Sequence, residues 1–309
     1  MPPILSLTPV RAGALLATAG MLCVGSSMAV SQTIVDAPFF TTQAVRYALA
    51  AVVLVVMARL TGRALPRPRG VEWCWLAAVA GSGLVLFNVG VVRGVEHAEP
   101  AVIGVAVASV PLVLAVAGPL AARRRPAPLV VIGAVIVTAG AVLVEGGGHT
   151  DLAGLGYAAL VLVTEVGFTL LAVPVLGRLG PWAVSMHATW IAAVVLVVLG
   201  VTVEGPGAVA TLTGADLAAA GYLALVVTAV AFVLWYSAVG RLGAGRAGLF
   251  TGVVPVSAAV GGVLLGGPVP APAVWAGSAV VALGLMVGFG RRAQPADVSG
   301  RVAGDHGAS

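Results

Sequence analysis

Charged side chains are scarce in this sequence. They make up 9% of the 309 residues, against roughly 25% in ordinary soluble domains. Hydrophobic residues reach 60% and mean hydropathy is +1.10, more apolar surface than a soluble core can hide. A soluble globular domain is thereby excluded, and a polytopic membrane protein is indicated. Cysteine is almost absent as well. Cys23 lies inside an apolar run and Cys74 at the start of another, with no CxxC or histidine spacing around them. Two such residues make neither a metal site nor a disulfide framework. The motifs of hydrolytic enzymes are missing too: there is no GxSxG, no HExxH and no pair of intramembrane aspartates. The run Gly146–Gly148 lacks the Lys-Ser/Thr that would make it a phosphate loop. Neither catalysis nor any cofactor is expected.

The net charge of +5 and the pI near 10.0 would suggest nucleic acid as partner of a soluble chain. Here the arginines sit in short loops between apolar runs, so the membrane reading takes precedence and no nucleic acid is expected.

Repetition is what the sequence has in abundance. Residues 101–144 read AVIGVAVASVPLVLAVAGPLAARRRPAPLVVIGAVIVTAGAVLV, and a shift of 144 positions gives GRAGLFTGVVPVSAAVGGVLLGGPVPAPAVWAGSAVVALGLMVG at 245–288. Without a gap, Pro111 falls on Pro255, Gly118 on Gly262, Pro126 on Pro270, Pro128 on Pro272, Gly133 on Gly277 and Gly140 on Gly284. Alanine and valine match by chance in so apolar a chain; prolines and glycines at fixed offsets do not. The period marks a duplicated multi-element unit.

A helix needs about 20 apolar residues to cross ~30 Å of hydrocarbon. Ten runs qualify: residues 12–30, 38–58, 73–92, 101–120, 129–144, 152–173, 181–201, 217–239, 247–266 and 273–289. Helices are the only choice, because an open sheet edge in lipid leaves backbone groups unpaired. The first run, with Arg11 before it and the small residues Ser26 to Ala29 at its end, resembles a cleavable signal peptide. Removing it would leave an odd number of helices and spoil the match between halves, so it is read as a helix.

The loops test this reading. Arg59, Arg63, Arg67 and Arg69 follow the second run, and Arg123, Arg124 and Arg125 the fourth. Arg178 follows the sixth, Arg241 and Arg246 the eighth, Arg291 and Arg292 the tenth, and Arg11 precedes the first. The alternate loops carry Asp36, Glu96, Glu99, Glu145, Asp151, Glu204 and Asp216, with Arg93 as their one arginine. By the positive-inside rule both termini are cytoplasmic. Five helices per half is odd, so the halves are inverted, the arrangement of secondary transporters. The expected organisation is an all-α polytopic membrane protein of the plasma membrane, with repeats at 1–145 and 151–290 and a disordered cytoplasmic tail at 291–309.

Several stretches together carry a family resemblance. They are the second run with RYALAAVVLVV from Arg46, the small-residue helices broken by Pro111 and Pro255, the glycine-containing helix after each, and LVVTAVAFVLWYSAVGRLGAGRAGLFTGVVPV from Leu225. Over residues 12–290 the chain resembles the EamA family of the drug/metabolite transporter superfamily. The resemblance implies ten helices and a carrier of small metabolites, amino-acid-like or drug-like. Many relatives have a Gly-Glu pair where the ninth helix ends; here Gly266, Gly267 and Pro268 stand instead, and that glutamate's role is not carried over.

Seven residues are candidates for the site. Pro111 and Pro255 lie about 12–15 Å into their helices. Each frees the carbonyl four residues earlier, on Val107 and Thr251. Such carbonyls can ligate substrate or cation, or the kink can merely shape packing. Arg46 sits about 12 Å from the outer end of its helix. Placing arginine near the centre costs ~2.5–3.5 kcal/mol, so it faces the interior or water. It can hold an anionic group of the substrate, with Asn88 as a further substrate-binding candidate, or pair internally with Glu165, Gln43 or Asn88. Glu165 and His187 lie at matching depths, ~20 Å below the outer end and ~9 Å above the inner end of adjacent helices. Together they can exchange a proton in a low-dielectric cavity, or simply tie two helices together. Trp190, one turn from His187, can stack on substrate; Trp235 and Tyr236 read more simply as interfacial anchors. Gly90/Gly94, Gly262/Gly266 and Gly284/Gly288 read as close-packing pairs.

The expected partners are a small-molecule substrate, membrane lipid, protons as coupling ion, and, at the level of assembly, a second copy of the chain. The competing class is a membrane sensor or scaffold of transporter-like shape, which has little use for a buried carboxylate at Glu165.

Overall fold

The computed structural model describes residues 8–27, 30, 34, 36–264 and 269–290. The departure at Gly266–Pro268, the last arginine pair and the tail at 291–309 lie outside the described residues. Everything described is helix or short connection, apart from one isolated antiparallel bridge between Ala98 and Thr150.

Eight helices among the described residues are long and apolar enough to cross a bilayer. They are α2 (Phe39–Leu60), α3 (Glu72–Gly94), α4 (Pro100–Ala121), α5 (Pro128–Glu145), α6 (Leu152–Leu170), α7 (Val173–Glu204), α8 (Gly214–Leu242) and α9 (Ala244–Leu264). Two shorter apolar helices complete the set, α1 (Pro9–Gly25) and α10 (Pro272–Gly288), 17 residues each. At 1.5 Å per residue they run about 25 Å, the low end of what spans a membrane.

Local chemistry places the starts. Prolines occupy the first turn of α1, α4, α5 and α10, where no amide donor is needed. The repeated pair Pro128 and Pro272 thus opens α5 and α10 alike. Asp151 caps α6 by accepting from the Gly154 amide at 2.7 Å. Thr213 and Asp216 form a reciprocal capping box at α8. The sixth and seventh runs come closer than their apolar lengths suggest: α7 starts at Val173 and is broken at Gly180, whose φ of 73° admits glycine freely.

Packing follows the repeat. α5 lies against α10, α2 against α7, and α4 against α9. α1 packs on α8 and α9, while α6 packs on α3 and α4. Exchanging each helix of the first five with the one five places on leaves this pattern unchanged. Of the expected close-packing pairs, Gly90 and Gly94 lie against Val161 and Tyr157 of α6, and Gly284 and Gly288 against Gly133 of α5 and Leu249 of α9. A methyl group added at Gly262 would meet no described residue within 4 Å, and Gly266 lies outside the described residues.

At the acidic end, the α5–α6 connection is pinned to the α3–α4 loop. His97 Nδ1 lies 3.1 Å from Asp151 Oδ2, and His149 Nδ1 3.1 Å from Glu99 Oε1. The Gly154 amide, then His97, holds the Asp151 carboxyl below its ordinary range.

Candidate functional site

Arg46 stands about 10 Å into α2 and is half-buried. Its Nε donates to Thr228 Oγ1 of α8 at 3.0 Å and its Nη1 to Gln43 Oε1 at 3.3 Å. Its guanidinium carbon lies 5.1 Å from the centre of the Tyr47 ring. None of the ion pairs among the described residues includes Arg46. Of the three expected partners, Gln43 is found and Glu165 and Asn88 are not.

Asn88 is nonetheless in the same network. Its Nδ2 donates to Tyr47 Oη at 2.9 Å and to the Leu84 carbonyl at 2.7 Å. Leu84 belongs to a π-helical stretch of α3, Ala80–Leu86, and Thr228 to a second one in α8, Leu223–Val230. A shift of 144 carries 80–86 onto 224–230, so the irregularity recurs at the offset of the repeat. π turns inside α-helices cluster at functional sites because they turn one side chain out of register. Each here delivers a hydroxyl: Thr228 to Arg46, and Ser82 to the carbonyl of Thr164 at 3.0 Å.

The next residue is Glu165. It is half-buried. It makes no hydrogen bond or ion pair to any described residue. Tyr236 is near enough for direct electrostatic interaction with it. Tyr236 Oη donates to the Phe168 carbonyl at 3.0 Å and Trp235 Nε1 to Thr169 Oγ1 at 3.1 Å. Both aromatic residues are buried, so they are not interfacial anchors. Their polar atoms are satisfied by α6, which removes the need to reach the headgroups.

Four helices are therefore joined in a closed ring by side-chain hydrogen bonds. Arg46–Thr228 links α2 to α8, Tyr236–Phe168 links α8 to α6, Ser82–Thr164 links α6 to α3, and Asn88–Tyr47 links α3 back to α2. Arg46, Asn88 and Glu165 are carried by this ring.

His187 is elsewhere. No hydrogen bond or ion pair joins it to Glu165. Its Nδ1 accepts from Trp190 Nε1 at 3.0 Å, and Trp73 packs edge-on at 5.4 Å between ring centres. Its Nε2 is buried without a hydrogen-bond partner among the described residues. The expected pairing rested on matched depth, but helix rotation sets which face meets which. Trp190 belongs to this second cluster and is 37% exposed.

Pro111 and Pro255 are buried, in the paired helices α4 and α9. The helix breaks at Ser109 in one case and tightens over Leu249–Gly252 in the other. In both, the carbonyl named above, on Val107 or Thr251, accepts a backbone N–H at the break. The kinks are present; the freed carbonyls are already used.

Three partnerships were not legible beforehand. Glu204, at the end of α7, accepts from the amides of Phe40 and Thr41 at 2.7 and 2.9 Å, capping α2. Arg178 grips both carboxylate oxygens of Glu72 and donates to the Arg67 carbonyl at 3.0 Å, fastening α7 to α3. Thr228 is an ordinary helix threonine in sequence. Only the π turns in α3 and α8, invisible to hydropathy, set it and Ser82 in place.

A helical membrane protein built from two exchanged halves around a polar ring is the architecture of a carrier. The chain belongs to the EamA-like transporter family, whose pattern matches residues 11–146 and again 152–289. It is 26% identical over 259 residues to the uncharacterized transporter YetK of Bacillus subtilis (strain 168), covering 81% of this chain and 78% of that protein. A solved crystal structure, described simply as that of a protein, superposes with a TM-score of 0.77 at 19% identity. It covers 90% of this chain and 97% of its own, and the likeness speaks for the fold. These relationships point to a multi-pass membrane transporter rather than an enzyme.

Proposed function

We propose that the chain is a secondary carrier of a small metabolite, amino-acid-like or drug-like, with Arg46 and Glu165 as its two working charges. The observation that carries the reading is the ring of α2, α8, α6 and α3. Among the described residues it holds an arginine without a carboxylate partner and a carboxylate without any hydrogen-bond partner. Leaving such groups in a membrane interior is costly unless a ligand or proton completes them. Arg46 takes the anionic group of the substrate, with Asn88 beside it; Glu165 binds and releases a proton. Pro111 and Pro255 shape the facing helices α4 and α9, and His187 with Trp190 forms a separate aromatic cluster open to substrate stacking.

The ten helices all span the plasma membrane in this proposal, as inverted halves at 1–145 and 151–290 with both termini cytoplasmic. The helix exchange in the packing and the arginine alternation support it. Protonation of Glu165 shifts the balance between inward-open and outward-open states. Gradients decide direction in such a carrier, and we propose export as the physiological one. The test is flux in proteoliposomes with an imposed pH gradient, against amino acids, purines and cationic drugs. Saturable, gradient-dependent flux of one compound supports the reading. A chain that binds a compound yet never moves it is a sensor or scaffold.

A further inference from the structure

A cavity of about 860 Å³ opens at the arginine-rich end of the bundle. It lies between the α4–α5 turn, the first turns of α7, and the junction of α8 with α9. Arg124 and Arg125 of the turn, Arg241 of α8 and Arg246 of α9 line it, together with Tyr236 and Ser237; no acidic side chain among the described residues does. The guanidinium hydrogen bonds among the described residues belong to Arg46, Arg93 and Arg178, so the four cavity arginines, all exposed, have no partner among the described residues.

The turn that presents two of them is built at a cost. Arg123 has φ of 54°, the one positive φ outside glycine among the described residues. Its amide bonds to the Leu120 carbonyl at 2.9 Å and that of Arg124 to Pro119 at 2.8 Å. This is the double closure that glycine normally provides at a helix end. Backbone strain of this kind persists where surroundings enforce it and clusters at functional sites. The positive-inside rule asks only for arginine somewhere in these loops. Arg59 and Arg63 satisfy it without lining the cavity. It does not ask four arginines from three segments to converge on one concavity without a counter-charge.

We propose that this cavity is a binding site for a phosphate-bearing anion. A single carboxylate would engage one or two planar guanidinium forks, whereas a phosphate offers three or more acceptor oxygens and up to two charges to several. The phosphate comes either from a lipid headgroup of the adjoining leaflet or from a soluble phosphorylated compound. Tyr236 joins the cavity to the ring that carries Glu165, but the four arginines are not part of that ring and the binding test does not depend on transport.

The test uses the full chain, purified in neutral detergent or in phosphatidylcholine nanodiscs. One arm titrates inorganic phosphate against chloride at matched ionic strength. The other replaces part of the phosphatidylcholine with phosphatidylglycerol. Thermal unfolding reads both. A saturable rise in Tm is expected in at least one arm. Phosphate acting alone identifies a soluble ligand, and phosphatidylglycerol acting alone identifies a headgroup; either supports the site. In the Arg124→Gln, Arg241→Gln variant the half-saturating concentration should rise at least tenfold. Changing all four to lysine keeps the charge and guards against misinsertion, and should weaken binding because the forks are gone. Arg59→Gln, Arg63→Gln should bind as the parent does. No saturable response in either arm, or an equal loss in the Arg59 and Arg63 variant, overturns the proposal.

Discussion

Gly140 of α5 and Gly277 of α10 meet backbone to backbone. A methyl group added at Gly277 would lie 2.6 Å from the Gly140 carbonyl oxygen, and one added at Gly140 would lie 2.8 Å from that of Gly277. Gly133 and Gly284 repeat the contact, at 2.8 Å each way. Since a shift of 144 turns 133 into 277 and 140 into 284, these are the same contact made twice. Small residues in membrane helices permit this approach, and dispersion across it replaces the hydrophobic drive that lipid does not supply.

Filling that seam should loosen the protein. Gly140→Val or Gly277→Val is expected to cost ~1–3 kcal/mol by overpacking. Gly156→Ala, where an added methyl meets nothing within 4 Å, should cost little. Thermal unfolding in detergent would rank the three. A Gly140→Val protein as stable as its parent means the helices are not in backbone contact.

Sidedness is checked by labelling in a background lacking Cys23 and Cys74. Gly147→Cys should react with an impermeant maleimide from outside, and Pro66→Cys only after permeabilisation. Reaction of Pro66→Cys in intact cells would refute the inverted ten-span arrangement.

Arg46→Ala should abolish flux while leaving membrane accumulation near the parental level. The hydrogen bonds lost, to Thr228 and Gln43, are charge-assisted bonds of about 1.5–3 kcal/mol each, and their loss is offset by removing a cation from the membrane interior. A protein that fails to accumulate would show that Arg46 holds the fold instead. Unchanged flux would remove it from both roles.

Glu165→Gln mimics the protonated carboxyl permanently. It should stop accumulation driven by a pH gradient, while exchange of labelled for unlabelled substrate continues. Because His187 does not touch Glu165, His187→Gln should leave the pH dependence in place. Full gradient-driven accumulation by Glu165→Gln assigns coupling to another residue.

Acid should open the α5–α6 connection. Asp151 is held below its ordinary range by the Gly154 amide and by His97. A carboxyl lowered in the folded state contributes fully above its unfolded value of ~3.9 and loses that contribution as pH falls through the folded one. Hydrogen-exchange protection, corrected for the intrinsic rate at each pH, should therefore fall in the 97–99 and 149–154 segments below about pH 4. In Asp151→Asn this acid-dependent step should be absent; its persistence would place the titrating group elsewhere.

Hydropathy and arginine placement determined the helical segments, because the length of an apolar run and the charge of its flanks are set by the bilayer and need no tertiary contact. The prolines and glycines of the repeat determined which helices correspond, and Arg46 and Glu165 stood out because an ionised group in hydrocarbon is expensive wherever it points. What depth could not supply was azimuth. Glu165 and His187, matched in depth by their spacing alone, face different neighbours, and Trp235 and Tyr236 look like interface residues until α6 takes up their polar atoms. The π turns that deliver Ser82 and Thr228, the capping of α2 by Glu204, and the convergence of four arginines on one cavity all depend on how helices are rotated against each other. Only side-chain packing between helices decides that rotation, and packing is a property of the assembled bundle.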